Sequence, residues 1–183
     1  MAKKAAVLFA NGFEEIEAVA PLDILRRAGA EVTAAGVGGK ALVGSRGLKM
    51  TADVEVECLI PDLDLLVLPG GGLGAKNLGQ SPKARELAEQ TLATGGIVGA
   101  ICAAPVTTLA AWGLLSGKKA ACFPGMENQF PRDVVFSPEP VVVDGNIVTS
   151  RGAGTTLLFS LALVGKLLGE DKAEEIAKSI VFL

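Results

Sequence analysis

Three stretches of this chain are apolar from end to end and only as long as a strand: the run inside Lys4 to Ala10, Leu65-Leu66-Val67-Leu68, and the run to Cys102 that follows Gly95-Gly96. A strand without polar alternation has no face to offer water. It must be covered on both sides, the condition of a parallel sheet with helices on either face. The segments between these runs read as helices, so the chain is predicted to alternate strand and helix in an open α/β sheet. Its 183 residues, half of them hydrophobic and a fifth charged, suit one domain, 1–183, with a sizeable core.

Taken in order, the first strand turns at Asn11-Gly12 into a helix from Glu14 to Gly29. Acidic residues open this helix, arginines close it, and Gly29 supplies a cap, in keeping with the helix dipole. Ile16, Val19 and Leu22 fall at helical spacing and are read as its buried stripe, with Glu14 and Glu15 as a solvated first turn. Glu17 borders that stripe, and Pro21 cannot donate to its carbonyl, so Glu17 is the acid expected to look toward the sheet. A second strand runs from Ala30 to Gly36. Lys40 to Asp53 reads as two short strands around Gly44-Ser45-Arg46-Gly47, and Val54 to Asp64 as irregular. Leu68 leads into the loop Pro69-Gly70-Gly71-Gly72-Leu73-Gly74. Helices are expected from Ser81 to Thr94, Val106 to Trp112, Thr156 to Leu168 and Asp171 to Ile180. Gly117 to Cys122 is strand-like, and Val141 to Thr149 is a hairpin turning at Asp144-Gly145-Asn146.

The chain has no histidine and no tyrosine. That excludes a Ser-His-Asp or Cys-His triad and any histidine-ligated metal site, and leaves acid–base chemistry to carboxylates, lysine, thiol or backbone. A net charge of -3 without a basic cluster argues against nucleic acid as the main partner. No segment is apolar enough for a membrane span, and three scattered cysteines fit a reducing, cytoplasmic setting. The glycine run after Leu68 ends in Gly74-Ala75-Lys76-Asn77, which lacks the Gly-Lys-Ser/Thr of a phosphate loop. An oxyanion-binding turn is the better reading.

Cys102 stands where strand passes to helix, with the small residues Ala100 and Ala104 two positions to either side. That is the shape of a nucleophile elbow, and a helix beginning near Pro105 would favour the thiolate. A buried core cysteine is the alternative on this octapeptide alone. Ligands of open α/β sheets bind at the carboxyl ends of strands. Glu17, Gly70 to Gly72 and Cys102 all follow strand ends, which tips the balance to a functional thiol. Cys58 and Cys122 have no activating motif and are read as structural.

These pieces together resemble the ThiJ/PfpI superfamily, in the branch that holds the parkinsonism-associated protein deglycase and bacterial relatives. The matching residues are Gly12-Phe13-Glu14-Glu15-Ile16-Glu17, Arg26-Arg27-Ala28-Gly29, Ser45-Arg46, Val67-Leu68-Pro69-Gly70-Gly71, Ala100-Ile101-Cys102-Ala103-Ala104-Pro105 and Thr149-Ser150-Arg151-Gly152-Ala153-Gly154-Thr155. The resemblance implies a flavodoxin-like α/β/α sandwich and a homodimer. It makes Cys102 the nucleophile, Glu17 a protonated partner donating to the thiolate, and the N–H groups of Gly71 and Ala103 an oxyanion hole. Arg46, Gly70, Gly152, Ala153 and Gly154 would shape the pocket. It implies no metal and no organic cofactor.

The implied chemistry is cysteine-dependent glyoxalase or deglycase action on methylglyoxal, glyoxal or their protein and thiol adducts, giving lactate or glycolate. The rival is a redox sensor or redox-regulated chaperone acting through oxidation of Cys102 to sulfinate. Three positions depart from family patterns. Ala103 and Phe123 stand where some members carry histidine, and Thr51 stands where some animal members carry a cysteine. A protease reading has no histidine to work with.

Overall fold

The computed structural model describes residues 2–182. Its centre is β1 (Lys4–Ala10), which passes through α1 (Glu15–Arg27) to β2 (Glu31–Val37), paired with β1 in parallel over its whole length. The hairpin of β3 (Ala41–Val43) and β4 (Lys49–Thr51) stands apart, and β5 (Val54–Glu55) adds a short parallel edge to β2. Next come β6 (Leu65–Leu68), α2 (Gly72–Gly79), α3 (Pro82–Ala93) and β7 (Ile97–Ile101). β8 (Lys119–Ala120) and β9 (Val135–Phe136) form a separate parallel pair, followed by the expected hairpin of β10 (Val141–Asp144) and β11 (Ile147–Ser150). The helices α4 (Thr156–Leu168) and α5 (Glu170–Ser179) complete the order.

The main sheet runs β10-β11-β7-β6-β1-β2-β5, and every pairing in it is parallel except β10 with β11. From β1 the chain travels one way to β2 and β5, then returns past β1 and travels the other way through β6, β7 and β11. Right-handed crossovers in opposite directions place their helices on opposite faces. Accordingly α1 packs with α4, and α4 with α5, while α2, α3 and residues 105–112 cover the other side. Thr108 Oγ1 donates to the Ala75 carbonyl at 3.0 Å and the Trp112 indole to the Gly79 carbonyl at 3.0 Å, fastening that second layer together. This is the open, mostly parallel sheet that the sequence pattern predicts and the flavodoxin-like α/β sandwich that the family resemblance implies.

Three expectations are corrected. The buried face of α1 keeps Leu22 of the expected stripe but not Ile16 and Val19, which are 54% and 40% exposed. Glu17, Ala18, Pro21, Leu22 and Leu25 face inward instead. Small Ala18 and Pro21 sit at the closest approach to the sheet, and a glutamate within that row hides it from a hydrophobic pattern. The glycine-rich segment after β6 is not only a loop, since it coils into α2 with Gly71 as N-cap. Residues 105–110 form a wide π-type turn rather than an α-helix to Trp112, with Leu114 N–H reaching back to the Leu109 carbonyl. There the Thr107 hydroxyl bonds the Ala103 carbonyl and Thr108 bonds α2, drawing the turn open.

Candidate active site

The ends of β1, β6 and β7 meet where the chain reverses its direction of travel between β1 and β6, the usual ligand crevice of an open α/β sheet. At the end of β7, Cys102 adopts φ +65°, a left-handed conformation that costs a non-glycine residue about 1–2 kcal/mol. Two neighbours hold it there. The Cys102 N–H donates to the Ser150 carbonyl at the end of β11 (3.0 Å), and the Phe123 N–H donates to the Cys102 carbonyl (2.8 Å). Ala100 and Ala104, both fully buried, leave room for so sharp a turn. The side chain is thereby aimed off the sheet edge, as a nucleophile elbow aims it.

Glu17 comes to the same point from α1. It is 1% exposed, and one carboxylate oxygen accepts the Gly70 N–H at 3.0 Å. The Ala153 N–H and the Cys102 thiol also act on this carboxyl and lower its pKa. On the sulfur side, the backbone N–H groups of Gly71 and Ala103 lie toward Cys102 and lower its pKa. Gly70 has no room for a side chain: a Cβ there would lie 2.5 Å from the Cys102 Cβ and collide with the Glu17 carboxyl. Gly71 needs its φ of +87° to turn its N–H inward, and a Cβ would come within 2.7 Å of the Glu14 nitrogen.

A cavity of about 380 Å³ opens onto this pair. Its walls include Glu14, Gly71, Gly72, Ala103, Phe123, Met126 and Ala153, with Ser45 and Arg46 from the β3–β4 turn. Gly152 is buried beside the Phe123 ring and the Glu17 carboxyl. Gly154, expected in the wall, is exposed with open space around it and takes no part.

The first turn of α1 is not simply solvated, contrary to expectation. Glu14 caps the helix by accepting the Glu17 N–H at 2.8 Å, and Glu15 accepts the Arg46 N–H at 2.6 Å and the Ser45 hydroxyl at 3.0 Å. Their signal in the sequence is the spacing Glu14-Glu15-Ile16-Glu17, in which a side chain at the helix start reaches the N–H three residues on. The other addition, Met126, lies on a connecting segment with no pattern to mark it, while Ser45 enters with the Arg46 turn.

Burial governs the electrostatics. It raises the Glu17 pKa to about 7, reinforced by the charge of Glu14 and offset by donors from Cys102, Gly70 and Ala153. Burial also pushes the Cys102 thiol up to about 12, with Glu17 adding to the rise and the Gly71 and Ala103 donors opposing it. The thiol is therefore not lowered by a helix dipole, as the elbow alone suggests. The turn after Cys102 is too short and too wide for that, and desolvation outweighs it. Instead the two groups hold one proton between about pH 7 and about pH 12, and the higher value of the thiol places it mainly on the sulfur, a thiol beside a carboxylate.

The other thiols lie elsewhere. Cys122 is buried, and burial raises its pKa to about 11. Cys58, read as structural, is exposed on the turn after the edge strand β5. Among the described residues, no three His, Cys, Asp or Glu side chains gather as a metal site, and no helix is long and apolar enough to cross a membrane.

The sequence profile of the DJ-1/PfpI family matches residues 3–166. Protein dj-1beta of Drosophila melanogaster is 40% identical over 99% of this chain and 98% of its own length. The Parkinson disease protein 7 homolog of Danio rerio is 38% identical over 98% and 97%. A protein of Caenorhabditis elegans named glutathione-independent glyoxalase is 29% identical over 91% and 89%. Among solved structures, Drosophila melanogaster DJ-1beta superposes with a TM-score of 0.95 at 38% identity, with both chains fully covered. An oxidised Toxoplasma gondii DJ-1 gives 0.95 at 36% identity over 99% of each chain.

Proposed function

Because the chain belongs to the DJ-1/PfpI family, we propose that it is a cofactor-independent, cysteine-dependent glyoxalase or deglycase acting on small 2-oxoaldehydes and their adducts. The observation that carries this reading is the buried pair of Glu17 and Cys102, sharing one proton beneath an open cavity with two backbone donors on the sulfur. One relative is named a glyoxalase, which supports the same class.

Once the shared proton has passed from the Cys102 thiol to Glu17, the thiolate attacks the aldehyde carbon of methylglyoxal. A C–S bond forms, and the carbonyl π pair becomes an alkoxide. The Gly71 and Ala103 donors follow the charge from sulfur to oxygen, as preorganised donors do. Glu17 gives its proton to that alkoxide and, now a carboxylate, takes the hydrogen from the same carbon. It returns that proton to the neighbouring ketone carbon, while the hydroxyl proton on the first carbon passes to the ketone oxygen. The aldehyde carbon is thereby oxidised to a thioester and the ketone carbon reduced to an alcohol. Water cleaves the thioester, releasing lactate and regenerating the thiol and carboxyl pair. One carboxyl performs both acid and base steps, the work a chain without histidine must assign to such a group. Glyoxal gives glycolate by the same steps, and hemithioacetal or aminocarbinol adducts first release the protein thiol or amine, the freed aldehyde then following the same course.

The test follows methylglyoxal loss and lactate formation in wild type, Cys102→Ser and Glu17→Ala. Lactate from wild type alone supports the reading, and lactate from Cys102→Ser overturns it. We propose a homodimer as the active form. Ile16, Val19 and Leu48, all exposed, lie on α1 and on the loop that Glu15 ties to it. Light scattering on Val19→Asp checks this. Three free thiols fit a cytoplasmic setting.

The solved oxidised relative favours a second reading, a redox sensor or redox-regulated chaperone. Two peroxide molecules would oxidise the Cys102 thiol through sulfenate to sulfinate, releasing two waters, with the Glu17 carboxyl donating to the new oxygens. Equal labelling of Cys58, Cys102 and Cys122 by peroxide would remove its basis.

A further inference from the structure

A ring of four contacts surrounds the start of α1. The Glu14 N–H donates to the Gly70 carbonyl (3.1 Å), and the Gly70 N–H donates to the Glu17 carboxyl (3.0 Å). The Glu17 N–H donates to the Glu14 carboxylate (2.8 Å), and the Glu14 backbone lies against Gly71, whose own N–H serves the sulfur. Glu14 also forms part of the cavity wall. We propose that Glu14 is the positioning residue of this site: its carboxylate opposes a second negative charge on Glu17 and so shifts the shared proton from the Cys102 sulfur toward the Glu17 carboxyl.

The inference rests on Cys102 being the nucleophile and adds what decides its ionisation. With one proton for two groups, the alternatives are a thiolate beside a carboxylic acid or a thiol beside a carboxylate. The pair carries the same total charge in both, so the surroundings choose. Gly70 and Ala153 act on the carboxyl and Gly71 and Ala103 on the sulfur, two backbone N–H groups on each side. A fixed negative charge nearer to one group breaks the balance. Glu14 acts on Glu17, from the same helix start, and opposes a second carboxylate there. The other titratable and charged groups here are Cys102 from the end of β7, Arg46 at the cavity wall, and Glu15, whose carboxylate is taken up by the Arg46 N–H and the Ser45 hydroxyl. Arg151, beside the Gly152 turn, is engaged with the Pro138 carbonyl at 3.2 Å. The loop after β6 contributes backbone alone.

The experiment measures site-resolved alkylation of Cys102 by iodoacetamide from pH 5 to 10 in the full chain, using mass spectrometry. It compares wild type with Glu14→Gln and Glu14→Asp. Glutamine can still accept the Glu17 N–H, so the cap and the melting temperature survive while the charge is lost. The expected result for Glu14→Gln is ionisation of the pair at lower pH and a plateau of Cys102 alkylation about tenfold lower, one pKa unit of bias. Glu14→Asp restores part of that rate. A Glu14→Gln profile that overlays wild type overturns the proposal. Alkylation requires no turnover, so a failure of dicarbonyl chemistry leaves this result standing. If wild-type Cys102 reacts no faster than exposed Cys58, the nucleophile reading and this inference fall together.

Discussion

Two hollows of similar size sit at opposite ends of the same sheet. At the amino end, a cavity of about 340 Å³ lies among Lys3, Asp62, Asp64, Thr94, Asn146 and Lys166. At the carboxyl end, about 380 Å³ opens onto Glu17 and Cys102. The amino-end charges are settled with one another in water: Lys3 pairs with Asp64 at 2.7 Å and Lys4 with Asp62 at 2.6 Å, all with substantial exposure. The carboxyl-end pair is buried, and no ion pair neutralises Glu17 among the described residues. Volume therefore does not distinguish a working site from a groove between loops. A desolvated ionisable pair, held by backbone donors and strained chain, does.

The largest effect expected from breaking this contrast is at Gly70. Gly70→Ala drives a methyl into Cys102 and Glu17, both fixed by backbone contacts, so neither yields without leaving its donors. Misplacement on the ångström scale costs on the order of 100-fold in kcat/KM. Methylglyoxal kinetics on a folded Gly70→Ala variant check this. Gly95→Ala at the amino-end hollow, where a methyl meets open space, leaves kinetics unchanged although its φ of +82° costs some stability.

The second effect is a sign. The Glu17 pKa is raised from 4.5 to about 7 in the folded chain, by burial first. Its contribution to stability is fully present below pH 4.5 and is lost as pH rises through about 7. The loss approaches about 3 kcal/mol, from about 1.4 kcal/mol per pKa unit. Asp64 runs the other way. The Lys3 hydrogen bond lowers its pKa, so its stability is present above its unfolded value of 3.8 and vanishes as pH falls. Denaturant unfolding from pH 3 to 8.5 reads both: Glu17→Gln gains on wild type as pH rises from 4.5 to about 7 and then levels off, and Asp64→Asn loses its deficit in acid. Parallel profiles for the two variants would erase the distinction between the hollows.

Much of the working end was legible in residue order, for physical reasons. Apolar runs without alternation fix a doubly covered parallel sheet. A cysteine between Ala100 and Ala104 fits a tight strand-to-helix turn, and Pro21 loosens α1 one turn after Glu17. What escaped depends on contacts distant in sequence. The buried face of α1 is invisible to hydrophobic spacing because Glu17 lies within it and Ala18 and Pro21 are small. α2 is built on glycines that coil only because Thr108 and Trp112 bond to it from the next crossover. Glu15 reads as solvent-facing until the β3–β4 turn is laid against it.

That Glu15 contact gives a moderate effect. The carboxylate fills the space that a side chain at Gly44 would need and binds the Arg46 N–H and Ser45 hydroxyl. Glu15→Gln weakens a charge-assisted anchor by about 1 kcal/mol, freeing one cavity wall while the reacting pair stays in place. KM for methylglyoxal should rise about fivefold with kcat nearly constant, the pattern of lost uniform binding. An equal fall in kcat would place the Arg46 turn in the chemistry itself.

The smallest effect belongs to the amino-end hollow. Lys3→Ala removes a 2.7 Å ion pair with Asp64, but the two side chains are 47% and 34% exposed and water replaces what is lost. Asp64 keeps a second donor, the Lys4 N–H at 2.9 Å, so the loop before β6 stays attached to the start of β1. The change in unfolding free energy should stay below about 1 kcal/mol and shrink further in salt. Dicarbonyl kinetics and the Cys102 alkylation profile should both overlay wild type. If Lys3→Ala instead alters either of them, the two ends of the sheet are coupled, and the amino-end hollow is more than a solvated gap between loops.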